Sequence, residues 1–156
     1  MDLHILTTNF QNIGSGNYTI SVVYNSPFHE TIRTTENLTI EKQIVENKTL
    51  ETILTQKGEN TTISLNIADI TGKQLVGNTK IAVKLNGKTQ ISQTISNGKL
   101  DISIPTDTFS NKNYTLTIIL GANALYDKAV YNGMITIVNP REMPAYIENE
   151  NLTVLE

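Results

Sequence analysis

The residues best suited to acid–base and metal chemistry near neutral pH are histidines, and the sequence has two, His4 and His29. The run His29-Glu30-Thr31-Ile32-Arg33 begins like the His-Glu-x-x-His motif of zinc proteases. That motif needs a second histidine on the same helix face, but this run lacks it and its surroundings are typical of a strand. We therefore interpret His29 as a surface histidine.

No other group of residues combines the types and the spacing that catalysis requires. The stretch Gly14-Ser15-Gly16 is too short for a phosphate-binding loop and is typical of a turn. Calcium takes roughly six to eight oxygen ligands, whereas the candidate carboxylates are scattered, at Asp69, Asp101, Asp107 and Asp127. The absence of cysteine excludes a disulfide and a thiolate metal site. We expect a non-catalytic protein with no cofactor and no metal.

The sequence also offers candidate residues for a covalent crosslink. Some surface domains carry an autocatalytic amide bond between lysine and asparagine, helped by a buried carboxylate whose pKa is raised. Asn139 is the candidate asparagine, and Lys42, Lys48 and Lys57 are the candidate lysines. No lysine lies clearly on a buried face, so the sequence leaves this bond open.

Four aromatic residues are candidates for ligand binding: Tyr24, Phe28, Tyr126 and Tyr131. They lie in or beside two loops that occupy matching places in an internal repeat. If they are exposed, their rings could stack on sugars or contact a protein partner. The alternative is that they fill the ends of a β-sheet core, which is the commoner position of large aromatic side chains.

Asparagine-linked glycosylation has candidate acceptor triplets at Asn17, Asn37, Asn47, Asn60, Asn113 and Asn151. A chain rich in Asn, Thr and Ser produces several such triplets by chance. Asn17 and Asn113 stand in matching positions directly before a tyrosine, so their side chains could serve turn chemistry instead of glycan attachment.

Composition narrows the class of protein. The chain has 156 residues, 38% of them hydrophobic and 17% charged, which suits one β-sandwich of about 100 residues with extra segments. A net charge of −3 with scattered Lys and Arg disfavours a nucleic-acid partner. No apolar run approaches the roughly 18 residues that span a bilayer, and no signal peptide is visible. We expect no membrane insertion and, if the protein is secreted, an excised piece.

The elements that position these residues are predicted to be strands, because apolar and polar residues alternate along most of the chain. Residues 61–68 are an example, with isoleucine and leucine alternating with Thr, Ser and Asn. Asn86-Gly87 and Asn97-Gly98 separate such runs, as type I′ hairpin turns do. Short strands with turns about every 8–12 residues predict an all-β sandwich or barrel.

An internal repeat indicates the boundaries of the units. Residues 17–24 resemble residues 113–120, and Tyr114 lies 96 residues after Tyr18. A period of this size fits one sandwich domain per repeat. Residues 1–40 are therefore predicted to be the last strands of one unit, residues 41–139 a complete unit, and residues 140–156 a linker with the first strand of the next.

Several strings together suggest a family: Gly58-Glu59-Asn60-Thr61-Thr62-Ile63, the connection 69–76, Val83-Lys84-Leu85-Asn86-Gly87-Lys88 and Asn113-Tyr114-Thr115-Leu116. They resemble the Ig-like repeats of adhesin-like surface proteins of methanogenic archaea, which are related to bacterial Ig-like repeat domains. The resemblance covers nearly the whole chain and carries no active site. It implies an extracellular, cell-surface, immunoglobulin-like antiparallel sandwich with Greek-key connections, about seven strands and no disulfide.

Within this resemblance, Tyr18 and Tyr114 correspond to the tyrosine corner at the start of the sixth strand. Their hydroxyls would bond to the backbone a few residues upstream. Two residues later, where antibody domains have cysteine, this sequence has Ile20 and Leu116. Aliphatic packing is therefore expected to replace the disulfide.

The sequence thus predicts a structural repeat that acts as a stalk or spacer for cell adhesion, with neighbouring repeats as its partners. The alternative is a module that binds a surface glycan or protein through aromatic residues in its end loops. An incomplete first unit cannot bury both faces of its strands alone. We expect those strands to pair with the C-terminal segment, the edge of the central unit or another chain, and a strand-exchanged homodimer is the favoured form.

Overall fold

The computed structural model describes residues 13–140, and all regular structure in that range is β-strand. The predicted strand at residues 3–6, His4 and Asn151 lie outside the described residues. The strands are β1 (Gly16–Ser26), β2 (His29–Ile40), β3 (Lys48–Thr49), β4 (Ile53–Gln56), β5 (Asn60–Asn66), β6 (Asn78–Leu85), β7 (Lys88–Ser96), β8 (Lys99–Pro105), β9 (Asn113–Leu120) and β10 (Ala129–Val138).

The first two strands form the N-terminal hairpin, a separate antiparallel sheet of β1 and β2. Its register places Tyr18 opposite Leu38 and Tyr24 opposite Ile32, and it shifts between Tyr24 and Ser26 next to the turn. Neither strand contains a fully buried residue.

The other eight strands form the central unit, which has two sheets. The wide sheet has the order β10–β9–β6–β7, with antiparallel neighbours, and β3 and β4 pair in parallel with the outer side of β10. The small sheet pairs β5 with β8. Among the described strands, β7 is the free edge of the wide sheet, and its register against β6 shifts between Val83 and Lys84.

One hydrophobic core lies between the two sheets of the central unit. Every second residue of β5 and β8 points into it, as the alternating sequence of these strands predicts. The wide sheet faces the small sheet with its own alternating residues. The buried residues include Ile63, Leu100, Ile102 and Ile104 from the small sheet and Val83, Leu116, Ile118, Ile135 and Ile137 from the wide sheet.

Both predicted asparagine–glycine turns are present. Asn86 and Asn97 have φ values of 46° and 50°, and the glycine after each also has positive φ. Gly98 has a second constraint, because a Cβ at this position would lie 2.5 Å from the carbonyl oxygen of Ile67. Any larger residue would push the β7–β8 turn away from the strand end that it covers.

The all-β class is confirmed, whereas the predicted count of about seven strands is not, since the described residues contain ten. The hairpin adds two strands, and the first strand of the central unit is divided into β3 and β4. Between Thr49 and Ile53 three residues oppose two residues of β10, which is the geometry of a bulge. Gly133 leaves room for this bulge, because a Cβ there would lie 3.0 Å from Leu50 Cβ.

Candidate functional site

The start of β9 is fixed by Tyr114. Its hydroxyl donates a hydrogen bond to the Ser110 carbonyl at 3.2 Å and accepts one from the Ser110 amide at 3.0 Å. The ring is 7% exposed and makes an edge-to-face contact with Phe109 at a centroid distance of 5.2 Å. These contacts close the loop before β9 against the core, as a tyrosine corner does.

The start of β1 has the same arrangement around Tyr18. Its hydroxyl donates to the Gly14 carbonyl at 2.6 Å, again four residues upstream, but the residue is 36% exposed. Within residues 13–140, the local hydrogen bond is therefore present in a hairpin without a surrounding core.

A second contact recurs beside each corner. Thr39 Oγ1 donates to Asn17 Oδ1 at 2.9 Å, and Thr136 Oγ1 donates to Asn113 Oδ1 at the same distance. In both places the asparagine and the threonine are opposite each other in an antiparallel pair. The hairpin thus reproduces the β9–β10 pair in its register and in two side-chain hydrogen bonds.

The four aromatic residues proposed for ligand binding do not form one site. Tyr126 and Tyr131 are only 3% and 2% exposed, because both rings lie in the core of the central unit. The Tyr126 hydroxyl accepts a hydrogen bond from the Val76 amide at 3.0 Å. Burial, followed by the nearby Glu46 carboxylate, raises the pKa of Tyr131 above its usual value. Neither ring is available to stack on a ligand, so their assignment as binding residues does not fit the structure.

The other two aromatic residues lie at the tip of the N-terminal hairpin. Phe28 lies in the turn between β1 and β2 and is 88% exposed. Tyr24 lies two residues before the end of β1 and is 54% exposed. The turn is held locally, with Ser26 Oγ accepting a hydrogen bond from the Phe28 amide at 3.3 Å. His29 lies beside Ser26 and is exposed, in agreement with a surface histidine.

The five candidate acceptor asparagines within the described residues are all exposed: Asn17, Asn37, Asn47, Asn60 and Asn113. Three of these side chains also accept hydrogen bonds that hold strands in place. Asn17 and Asn113 accept the threonine hydrogen bonds at the corners, and Asn47 Oδ1 accepts one from the Val130 amide at 2.7 Å. The role of Asn47 in holding β10 was not foreseen from the sequence, because its partner is distant in the chain.

The carboxylate of Asp69 has a structural role. Its Oδ1 accepts hydrogen bonds from the Thr71 amide at 2.8 Å, the Thr71 hydroxyl at 2.5 Å and the Lys73 amide at 3.0 Å. Burial alone would raise the pKa of Asp69, but these bonds and the Lys73 charge outweigh it and hold the pKa below the usual value.

Asp101, Asp107 and Asp127 are exposed, and residues 13–140 contain no group of three metal-ligating side chains.

The residues considered for a lysine–asparagine amide bond are at the surface. Asn139 is exposed and hydrogen-bonded to the side-chain amide of Asn111. Lys48 and Lys57 are exposed and Lys42 is partly so. This environment lacks the burial on which that chemistry depends.

Comparison with known proteins identifies no family. No family model and no curated protein matches the chain. A quinonprotein alcohol dehydrogenase-like protein from Bacteroides thetaiotaomicron aligns with 56% of this chain and 17% of its own length, at 16% identity and a TM-score of 0.37. A secreted internalin-like protein from Listeria monocytogenes aligns with 60% of this chain and 32% of its own, at 19% identity and a TM-score of 0.40. Such likenesses assign no function.

Proposed function

We propose that this chain is a non-catalytic structural repeat of an extracellular, adhesin-like cell-surface protein, in which it acts as a stalk or spacer. The observation that carries the proposal is the recurrence of the tyrosine corner at Tyr18 and Tyr114, with the adjacent asparagine–threonine bond. Recurrence of such detail supports like units in tandem. Residues 1–40 would be the last strands of one unit, residues 41–139 a complete unit, and residues 140–156 a linker with the first strand of the next. Tandem units of one fold are suited to spanning distance.

The strand order of the central unit supports an immunoglobulin-like Greek-key assignment within this proposal. In an immunoglobulin-like sandwich, strands B and E lie in one sheet and strands C, F and G lie in the other. Here β5 and β8 take the places of B and E, while β6, β9 and β10 take those of C, F and G. The corner tyrosine then falls on strand F, where this fold places it.

The outer face of the small sheet also suits an exposed stalk. The outward residues of the small sheet are polar or charged, including Thr62, Ser64, Asn66, Lys99 and Asp101. Within residues 13–140, no helix is long and apolar enough to cross a bilayer. The outer face of the small sheet therefore suits exposure to solvent. Ile44 and Ile70, which are 54% and 60% exposed, lie together elsewhere on the central unit.

The spacer proposal predicts how an array lengthens. We would extend the full chain by inserting further copies of residues 41–139 after residue 139 and measure the maximum dimension by small-angle X-ray scattering. A spacer should lengthen by a constant increment for each added unit. Arrays that fold back into compact particles, with no constant increment, would contradict the proposal.

The alternative function is binding of a surface glycan or protein, and the exposure of Tyr24 and Phe28 at the hairpin tip favours it. Binding of the labelled chain to polysaccharides and whole cells should then be saturable and lost in Phe28→Ala and Tyr24→Ala. Val23→Ala is the matched control, because Val23 is an exposed apolar residue of the same strand without a ring. Absence of binding by the folded chain would leave the spacer as the function.

A further inference from the structure

The N-terminal hairpin is attached to the central unit through both of its strands. After β2 ends at Ile40, a short linker leads to Gln43, whose amide donates to the Leu125 carbonyl at 2.8 Å. Before β1 begins, the Ser15 amide donates to the Ala124 carbonyl at 2.7 Å. Consecutive carbonyls of the central unit thus accept one hydrogen bond from each side of the hairpin base. The hairpin therefore has a second attachment besides the chain connection itself.

The approach at Ser15 is close because the residue before it has no side chain. A Cβ on Gly14 would lie 3.0 Å from the Cβ of Ala124 and 3.5 Å from its carbonyl oxygen. The backbone of Gly14 does not itself require glycine, since its φ lies outside the left-handed region. Gly14 and Ser15 are partly buried, whereas residues 16–19 are exposed. The glycine is therefore explained by its contact with Ala124.

Both sides of this contact are held in place before they meet. On the hairpin, the Tyr18 hydroxyl donates to the Gly14 carbonyl at 2.6 Å and fixes the segment that makes the contact. On the central unit, Asn123 Oδ1 accepts hydrogen bonds from the amides of Leu125 and Tyr126, both at 2.8 Å, within the loop between β9 and β10. Its side-chain amide donates to a carbonyl of β6 at 3.2 Å. Little conformational freedom is thus lost when the two sides meet.

We propose that the loop between β9 and β10 is a docking seat for the tyrosine corner of a preceding unit, and that this contact sets a preferred angle between units. The partner is a neighbouring unit of the same fold, whose last strands are the hairpin, so the joint rests on the proposed function. Relative motion is the default for units joined only by a linker. A contact within one chain acts at the high effective concentration that a short linker imposes, so a single hydrogen bond and a close packing contact can restrict that motion.

The central unit carries both halves of such a joint, at opposite ends of β9. The seat follows Leu120 at the end of this strand, and the unit's own corner loop, with Ser110, precedes its start. Ser110 is exposed and stands four residues before the corner tyrosine, as Gly14 does. Contacts between different surfaces of like units join them head to tail and generate an open array. Ser110 carries a Cβ that Gly14 lacks, so a joint there needs more room than Ala124 leaves.

Distances between spin labels test the joint, because the chain has no cysteine to compete with introduced label sites. We would introduce Thr35→Cys in β2 and Ser64→Cys in β5, both at exposed positions outside the contact. Double electron–electron resonance on the full chain then gives the distribution of distances between the hairpin and the central unit. A seated hairpin should give one narrow distribution, and a distribution as broad as that of freely jointed bodies would overturn the joint.

Ser15 offers a matched pair of variants at one position. Ser15→Pro removes the amide donor, since proline has no N–H, and should broaden the distance distribution severalfold. Ser15→Ala keeps the amide and should leave the distribution as narrow as in the parent. A distribution that stays narrow in Ser15→Pro would overturn the role of this contact.

A rescue experiment separates loss of the joint from loss of the hairpin. Gly14→Ala places a Cβ against that of Ala124 and should broaden the distribution. Adding Ala124→Gly removes the opposing Cβ and should narrow the distribution again. A double variant that stays as broad as Gly14→Ala would assign the effect to the hairpin itself and overturn the joint.

The joint and the spacer fail by different results. A broad parent distribution, beside arrays that still lengthen by a constant increment, would overturn the joint and leave the spacer intact. A narrow distribution, beside arrays that fold back into compact particles, would overturn the spacer and support the joint.

Discussion

The N-terminal hairpin and the β9–β10 pair are built alike but differ in burial. Both have a tyrosine whose hydroxyl bonds the carbonyl four residues upstream, and both have an asparagine–threonine bond across the strands at 2.9 Å. Tyr114 is buried in the core beside Phe109, whereas Tyr18 remains exposed. The corner and the register are therefore products of local sequence, whereas burial depends on strands elsewhere in the chain.

This difference has an energetic consequence. Burial of apolar surface contributes about 25 cal/mol per Å², whereas an exposed hydrogen bond contributes roughly 1 kcal/mol or less. A two-stranded hairpin is only marginally stable by itself. Substitutions at matching positions should therefore lower the free energy of unfolding strongly in β9 and β10 and only slightly in β1 and β2.

The largest expected contrast in stability is between Leu116 in β9 and the matching Ile20 in β1. Leu116→Ala removes a fully buried side chain and should lower the free energy of unfolding by about 2–5 kcal/mol. Ile20 holds the matching position in the hairpin but is only partly buried, so Ile20→Ala should cost less than about 1 kcal/mol. Urea unfolding followed by circular dichroism measures both. Equal losses would mean that the hairpin is buried in solution.

Removal of the corner hydroxyls should give a smaller contrast. Tyr114→Phe leaves the Ser110 amide and carbonyl without their partner and should cost about 1–2 kcal/mol. Tyr18→Phe removes an exposed bond and should change the stability of the central unit by less than about 0.5 kcal/mol. The same urea experiment applies. A large loss in Tyr18→Phe would show that the first corner is tied to the unit's core.

Acid should weaken the central unit through the Asp69 turn, which has no described counterpart in the hairpin. Because the pKa of Asp69 is lowered in the folded state, its contribution is complete above the unfolded value of about 3.9. This contribution to stability is lost as the pH falls from the unfolded-state pKa through the folded-state pKa of Asp69. Asp69→Asn should be less stable than the parent near pH 6, and the two unfolding curves should converge in acid. A constant difference across that range would contradict this role.

The smallest effect concerns the asparagine–threonine bonds, which lie at the surface in both regions. A double-mutant cycle of Asn113→Ala and Thr136→Ala should give a coupling of about 0.2–1 kcal/mol, as for other cross-strand pairs. For Asn17→Ala and Thr39→Ala, we expect no coupling in global unfolding, only faster amide exchange within the hairpin. Similar coupling in both cycles would indicate that the two regions unfold as one body.

Sequence reasoning found the features that depend on neighbouring residues. Alternation predicted strands such as β5 and β8, and the Asn86-Gly87 and Asn97-Gly98 turns lie where they were expected. The spacing of Tyr18 and Tyr114 led to the paired corners. The alternation and the turns are each contained in a few consecutive residues, whereas the paired corners came from a repeat 96 residues apart and from the resemblance to Ig-like repeats.

The misses have a common cause, which is contact between distant residues. Tyr126 was a candidate binding residue because its loop matches that of Phe28, yet its hydroxyl meets the Val76 amide and its ring is buried. The parallel pairing of β4 with β10 joins residues about 80 positions apart and has no local signature. Burial and this parallel pairing could therefore be read only from the folded chain.

The free edge formed by β7 bears on how the proposed array of like units would be made. Neighbours in one chain are at high effective concentration, and exposed strand edges of similar sequence are templates for pairing between the wrong units. β7 carries Lys88 and a mostly polar, exposed surface, and Gln90 is the extra residue where its register shifts. An edge strand with a register shift and a lysine resists pairing with a copy of itself. In the proposed array, units emerging in succession during synthesis would thus have a barrier to pairing with their neighbours through this edge.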